Sequence, residues 1–374
     1  MKRRILSAIT AIAMATTAMF GMTASASPVI VSDPNGNNSI TNADSLYINR
    51  YLAGMISPSN LDAVDFDRNG IISAMDSYKV MQFLSSFTQY NVQPVVPQTS
   101  NINNNANYFV YNAQTGQSIP ERNYMLFSAP LESNTTSTYG TGIIGGHDDR
   151  VVDWSKSGVV KILTSKGIGS GFVIGPHTIA TAAHCVYSKN TDSAASSIKI
   201  RLFNADGTVA QEVNAVESHV PHKYVSDYYD DFPYDYAVLT VDENLSSYYQ
   251  FDLGVALDSA ISNEQSVTST GFPAVVNGVT VNTSNINQMY SSTGCMIESA
   301  PENPRDETRQ IYYSNDTTPG NSGGPIYITE TYNGQTYKTV VAITTSSPYD
   351  SEDYNIGTRI TTELLRFFKF NSNF

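Results

Sequence analysis

From residue 143 onward, apolar and polar positions alternate in short runs: 159–163, 171–174, 198–202, 236–241, 267–270, 311–313 and 337–343. Turn residues separate the runs. Many short strands punctuated in this way predict an all-β sandwich or barrel. One helical pattern, 361–370, stands at the C-terminal end. Upstream the pattern is different. The twelve residues from Asp33 to Asp44 match those from Asp65 to Asp76 at an offset of 32. The match continues through Leu46 with Tyr78, Ile48 with Val80, Tyr51 with Phe83 and Leu52 with Leu84. Each copy predicts an acidic loop followed by a short amphipathic helix, a duplicated structural unit. Between the two patterns, residues 92–107 are rich in Pro, Gln, Asn and Ser and read as a linker. Residues 108–131 regain aromatic and aliphatic side chains, and 133–139 are again polar.

Composition narrows the functions open to such a chain. Its 374 residues allow two or three domains. The net charge of -13 argues against a nucleic-acid binder, which would need a basic face, and against a basic membrane-surface protein. Two cysteines are too few for a disulfide framework or a thiolate zinc cluster, and five histidines leave little room for a multi-histidine metal site. At the N-terminus, Lys2, Arg3 and Arg4 precede an apolar stretch, 5–22, and then Ala24-Ser25-Ala26. This is the layout of a secretory signal peptide, residues 1–26. Thr10, Thr16 and Thr17 interrupt the stretch, which argues against a membrane anchor. Cleavage removes three positive charges and takes the net charge from -13 to -16. The expected protein is secreted and extracellular.

The repeat has the chemistry of a calcium loop. Calcium takes six to eight oxygen ligands, and oxygen side chains at loop positions 1, 3, 5 and 12 can wrap one ion. In the first loop these are Asp33, Asn35, Asn37 and Asp44, with the Ser39 carbonyl at position 7. In the second they are Asp65, Asp67, Asn69 and Asp76, with the Ile71 carbonyl. Two calcium ions are expected, the first site being weaker because its loop has two carboxylates against three. Acidic turns capping two helices would give a similar pattern, but the tandem copies favour the ion sites. These residues resemble a type I dockerin, over about 29–86. The resemblance implies docking to a cohesin module of a scaffolding protein, as in a cellulosome-type complex. The facing residues would be Asn42 and Ala43 in one repeat, Ala74 and Met75 in the other.

In the β-rich region, His184 ends an apolar run, Asp235 begins an alternating strand, and Ser322 lies in Gly320-Asn-Ser-Gly-Gly-Pro325. A serine hydroxyl becomes a nucleophile when a base removes its proton, and a carboxylate can fix that base's tautomer. Backbone amides in a glycine-rich turn, here those of Gly320 and Ser322, can hold the oxyanion. Asp230 and Asp231 lie close to Asp235 in the sequence as rivals. No metal is needed for such chemistry. No pair of catalytic carboxylates suggests a carbohydrate-active enzyme.

Residues 142–374 are similar to chymotrypsin-fold serine endopeptidases, in particular the bacterial glutamyl endopeptidases. The segments that carry the resemblance are Ile143-Ile-Gly-Gly-His-Asp-Asp-Arg150, the run from Gly171 to Tyr187, Gly271-Phe-Pro273 and Gly357-Thr-Arg-Ile-Thr361, with the motif around Ser322. The resemblance implies two six-stranded antiparallel β-barrels with the site between them, and protein or peptide substrates. It places Asp316, Thr317 and Thr344 at the substrate pocket. Thr344 stands where glutamyl enzymes carry a histidine, and Asn321 stands where trypsin-like enzymes carry an aspartate. It further implies a propeptide, so that residues 87–141 would be linker and propeptide, with a cut within 139–144. A bond between Cys185 and Cys295 stays open. The alternative function is a degenerate protease-like module acting as a dockerin-borne binding protein.

Overall fold

A computed structural model describes residues 33–37, 40–67, 69–86, 108–115, 117, 142–226, 232–297, 309–332, 335–348 and 353–371. The expected signal peptide and the 92–107 linker lie outside the described residues, as does Ser39. The helical repeats come first: α1 (Asn42–Leu52), a one-turn helix Leu61–Val64, the strand β1 (Ile71–Ile72) and α2 (Ala74–Ser86). β2 (Tyr108–Asn112) follows. Six strands then form one set: β3 (Val159–Thr164), β4 (Gly167–Gly175), β5 (Thr178–Thr181), β6 (Lys199–Phe203), β7 (Val209–Pro221) and β8 (Ala237–Val241). After the short strand β9 (Val255–Ala256) comes a second set. It contains β10 (Ser266–Gly271), β11 (Tyr290–Ile297), β12 (Gln310–Tyr313), β13 (Pro325–Tyr332), β14 (Gln335–Ser346) and β15 (Asn355–Arg359). The helix α3 (Thr362–Asn371) ends the described chain.

Each set of six closes on itself. The first runs β8-β5-β4-β3-β6-β7 and returns to β8, and the second runs β14-β13-β10-β11-β12-β15 and returns to β14. Counted within its own set, each barrel has the same cyclic order, 1-2-3-6-5-4. Closure removes the exposed edges that an open sheet of such strands would present. The first barrel buries Val160, Ile162, Phe172, Ile179, Ile200 and Val238, and the second buries Val267, Met296, Ile311, Ile326 and Val341. Neither barrel needs a perfect alternation. β7 has a register shift between Ala215 and Glu217, and β13 has one between Ile326 and Tyr327, each allowing the strand to bend.

The helical repeats keep the duplication in three dimensions. Asp44 accepts the Asn35 amide on Oδ1 and the Thr41 amide on Oδ2, and Asp76 accepts the Asp67 and Ser73 amides in the same way. The hydroxyls of Ser45 and Ser77, 32 residues apart, meet at 2.7 Å between the two helices. The repeats do not stand apart from the barrels. Ile48, Tyr51, Val64, Ile72 and Val80 belong to the same buried cluster as the first barrel and α3. β2, inside the stretch read from the sequence as linker and propeptide, pairs antiparallel with β7 as a seventh strand of the first barrel's sheet. Among the described residues no helix is long and apolar enough to cross a membrane.

Candidate active site

The sheet register brings His184 and Asp235 together. β5 and β8 are antiparallel neighbours with Thr181 opposite Ala237. Continuing that register two residues beyond the ladder sets Asp235 opposite Ala183. The chain turns there into a single 3-10 turn, Ala183–Cys185, that carries His184. Asp235 Oδ2 lies 2.7 Å from His184 Nδ1, and its Oδ1 accepts the backbone N–H of His184 at 2.9 Å. Asp235 is only 5% exposed. Burial disfavours a charged imidazole, but the nearby Asp235 carboxylate and Cys185 outweigh it and raise the His184 pKa well above 6.5. An ionised carboxylate only accepts hydrogen bonds. The neutral imidazole therefore carries its proton on Nδ1, which leaves Nε2 able to accept one.

Ser322 comes from the other barrel, on the turn between β12 and β13. The turn is tied internally by Asn321 N–H to the Thr318 carbonyl and by Gly324 N–H to that of Asn321. Gly323 has φ +84°, and a Cβ there would come within 2.2 Å of both the Ser170 carbonyl and Thr181 Oγ1. Only glycine fits both the conformation and the gap. His184, Ser322, Gly320, Thr317 and Thr344 line one cleft of about 260 Å³ between the barrels. Among the described residues, the amides of Gly320 and Ser322 have no protein acceptor.

One residue that sequence reasoning missed holds this turn in place. Ser170, fully buried on β4, donates its N–H to the Ser322 carbonyl at 2.8 Å and its hydroxyl to the Gly320 carbonyl at 2.7 Å. Its Oγ accepts the Phe272 amide at 2.8 Å. The only trace in the sequence is a serine between two glycines in Gly169-Ser-Gly171, beside a motif already singled out.

Asp316 lies behind the cleft instead of lining it. Its Oδ1 accepts the Ile144 amide at 2.8 Å and its Oδ2 accepts the Asp149 amide at 2.9 Å. Burial pushes its carboxyl up, and the two amides partly offset this. The segment it holds is pinned elsewhere too. The Gly142 carbonyl accepts from the Thr317 amide and from Asn355 Nδ2, both at 2.9 Å. Arg150 reaches Thr318 Oγ1 at 2.7 Å and the Val275 carbonyl at 3.0 Å. Asn355 and Arg150 were also missed as contributors. The cleft wall carries Thr317, Thr344, Thr345, Ser346 and Ser347, a row of hydroxyls. Both cysteines are free thiols. Cys185 Sγ contacts the Ser322 carbonyl, and Cys295 Sγ contacts Ser314 Oγ.

In both acidic loops side-chain oxygens accept backbone amides. Carboxylate oxygens of Asp65, Asp67 and Asp76 lie within 4.8 Å of one another. Burial, reinforced by Asp67 and Asp65, pushes the pKa of Asp76 up to about 8. Asn69 Oδ1 accepts the Ile71 amide, and Gly70 makes the turn with φ +83°. In the first loop Asp33 and Asn35 accept the amides of Gly36 and Asn37. Ser39 lies outside the described residues.

A family model described as Trypsin matches residues 143–366, and one described as Dockerin type I domain matches residues 31–85. The chain is similar to a glutamyl endopeptidase of Bacillus licheniformis, 25% identical over 245 residues covering 63% of this chain and 71% of that protein. It is also similar to an extracellular metalloprotease of Bacillus subtilis, 27% identical over 212 residues, 54% of this chain and 58% of that one. A solved Glu endopeptidase in complex with MPD aligns with 61% of this chain and 98% of its own, at TM-score 0.48 and 21% identity. A thermostable serine protease from an extremophilic microorganism aligns with 59% of this chain and 98% of its own, at TM-score 0.43 and 15% identity.

Proposed function

The chain belongs to the trypsin family, and we propose that it is a secreted serine endopeptidase in which Ser322, His184 and Asp235 form the catalytic triad. Peptide hydrolysis follows from the family; the residues that perform it are our reading. The observation that carries this reading is the 2.7 Å contact between Asp235 Oδ2 and His184 Nδ1, in a cleft shared with Ser322. Ser322 Oγ attacks the scissile carbonyl while His184 Nε2 takes its proton. The imidazolium that forms faces Asp235. It then returns the proton to the leaving amine, and water hydrolyses the acyl-enzyme by the same route in reverse. The unpaired amides of Gly320 and Ser322 hold the oxyanion, each donor contributing on the order of 3 kcal/mol to lowering the barrier.

For specificity, the hydroxyl wall of Thr317, Thr344, Thr345 and Ser346 offers no fixed charge, and both oxygens of Asp316 are occupied by amides. The reading is a pocket that does not select cationic P1 side chains. The buried seat of Gly142 supports an activation cut before that residue. The new terminus would leave 142–150 in place against Asp316.

The repeats are read as a calcium-binding dockerin that attaches the enzyme to a cohesin-bearing scaffold. The second loop fits the ion: three convergent carboxylates, two of them buried, need positive charge between them. Asp65, Asp67, Asn69, Asp76 and the Ile71 carbonyl would hold it, and Asp33, Asn35, Asn37, Ser39 and Asp44 would hold the first ion. The expected cohesin-facing pairs are not equivalent here. Asn42 is exposed, whereas Met75 is 4% exposed and Ala74 lines a cavity with Phe251 and Phe368. The first repeat is therefore the face available to a cohesin.

The test is Ser322→Ala on purified protein with a casein or peptide-library substrate. A fall in kcat of about 10⁶-fold is expected, to a residual rate about 10³–10⁴-fold above that of water alone. Full proteolysis by the variant would defeat the assignment.

A further inference from the structure

The second acidic loop does not end at the helical module. β1, which leaves that loop, pairs antiparallel with β9 of the segment between the barrels: Ile71 opposite Ala256 and Ile72 opposite Val255. The Leu257 amide donates to the Gly70 carbonyl at 2.7 Å. Gly70 lies so close to Ala260 that a Cβ on it would come within 2.7 Å of the alanine methyl. On the other side of the loop stands Glu330, from β13 of the second barrel. Its Oε1 accepts from Asn69 Nδ2 at 3.0 Å, across 261 residues of chain. Asp67 and Asp65 repel its charge, and Lys79 attracts it.

Two carboxylate oxygens in this cluster have no partner. Asp65 Oδ1 and Glu330 Oε2 are buried, and among the described residues neither accepts a hydrogen bond. Asp65 as a whole is only 5% exposed. Two unpaired buried carboxylate oxygens beside Asp67 and Asp76 are costly unless a cation compensates them. Lys79, paired with Asp67, is one cation at the rim.

We propose that the second cation loop is a shared site, in which Glu330 of the catalytic domain positions Asn69 and supplies charge, so that a bound calcium ion clamps the helical module onto the second barrel. This rests on the calcium reading of the loop. Glu330 acts through Asn69 and is a positioning residue. The consequence concerns processing. A cut before Gly142 severs the covalent link between repeats and enzyme, and the clamp keeps them together. The apolar contacts of Ile71 and Ile72, the Tyr78–Tyr337 ring pair and the Arg366 contacts to Gly54 and Ser57 give the clamp its area. Because binding to the assembled state is linked to the assembly itself, calcium affinity and docking rise and fall together.

The experiment uses the full chain with a specific cleavage site inserted between residues 92 and 107, which separates the repeats from β2. Calcium titration by calorimetry is run on the uncut chain, and size-exclusion chromatography on the cut chain over a series of buffered free calcium. The expected results are two calcium sites and co-elution of the fragments until calcium is chelated. Glu330→Gln should weaken one site about 10-fold and raise the calcium needed for co-elution by a similar factor. Ala260→Leu, a wedge on the protease side that touches no loop oxygen, should do the same. Circular dichroism checks that each variant folds. Unchanged calcium affinity and retention in both variants, or separation of the wild-type fragments in saturating calcium, would overturn the clamp. No calcium binding to the uncut wild type would instead overturn the calcium reading beneath it.

Discussion

The Asp316 carboxylate accepts the backbone amide of Ile144 at 2.8 Å, joining residues 172 positions apart. A carboxylate at this place in the turn before Ser322 could have selected a basic side chain. Here it anchors the segment 142–150 through the Ile144 and Asp149 amides. Asp316→Ala should leave two amides unpaired and lower stability by about 3 kcal/mol, read as a shift in the denaturation midpoint. Peptide-library profiling should show no Lys or Arg preference at P1 in the wild type. A selective loss of Lys and Arg cleavage in the variant would contradict the anchor role.

The pH dependence follows from His184. Despite its burial, the nearby Asp235 and Cys185 hold its pKa above 6.5. In the proposed triad the neutral imidazole is the base, so kcat/KM should rise with pH through a midpoint above that value. The stability effect has the opposite direction. A pKa raised on folding stabilises fully below the unfolded value, and that contribution is lost as pH climbs through the folded one. Asp235→Asn should move the midpoint down and cost about 10⁴-fold in kcat. A midpoint that does not move in the variant would show that Asp235 does not govern the imidazole.

Ser170 supports the turn that carries the proposed nucleophile and does not line the cleft. Ser170→Ala removes the hydroxyl that bonds the Gly320 carbonyl and the Phe272 amide. Two buried groups are left unpaired, a cost of about 1–3 kcal/mol each. The expected kinetic result is a fall in kcat with KM nearly unchanged, because the proposed oxyanion amides shift while the pocket wall stays. An increase in KM alone would place Ser170 in substrate binding.

Cys185 and Cys295 sit among separate partners, the Ser322 carbonyl and Ser314 Oγ. Denatured, unreduced protein should therefore release two thiols to Ellman's reagent. Recovery of none would mean that the bond left open by the sequence forms after all.

The apolar runs in the sequence marked strands where one face is greasy. The run 159–163 is β3 but for its last residue, 198–202 is β6 but for one residue at each end, and 337–343 is the middle of β14. The pattern failed where a strand buries hydroxyls. β11 reads Tyr-Ser-Ser-Thr-Gly-Cys-Met-Ile, and Ser291 and Ser292 are buried by bonding Asp153 and the Asp316 amide. Such a segment looks like a loop to any hydrophobicity count. β2 was missed for another reason: its partner, β7, lies about a hundred residues downstream, and local pattern carries no information about that. At the candidate site, the proposed triad residues were legible because each sits in a short local motif. The Ser170 bridge and the Glu330 contact join residues 150 and 261 positions apart, and only the packing of one barrel on the other and of the repeats on the second barrel brings them together.

Covalent labelling tests the central claim most directly. Phenylmethylsulfonyl fluoride reacts with a serine activated by a neighbouring imidazole. Peptide mass mapping of the inactivated protein should place one sulfonyl group on Ser322, with labelling abolished in His184→Ala. Activity that survives the reagent, or a label on any other serine, would contradict the proposed triad.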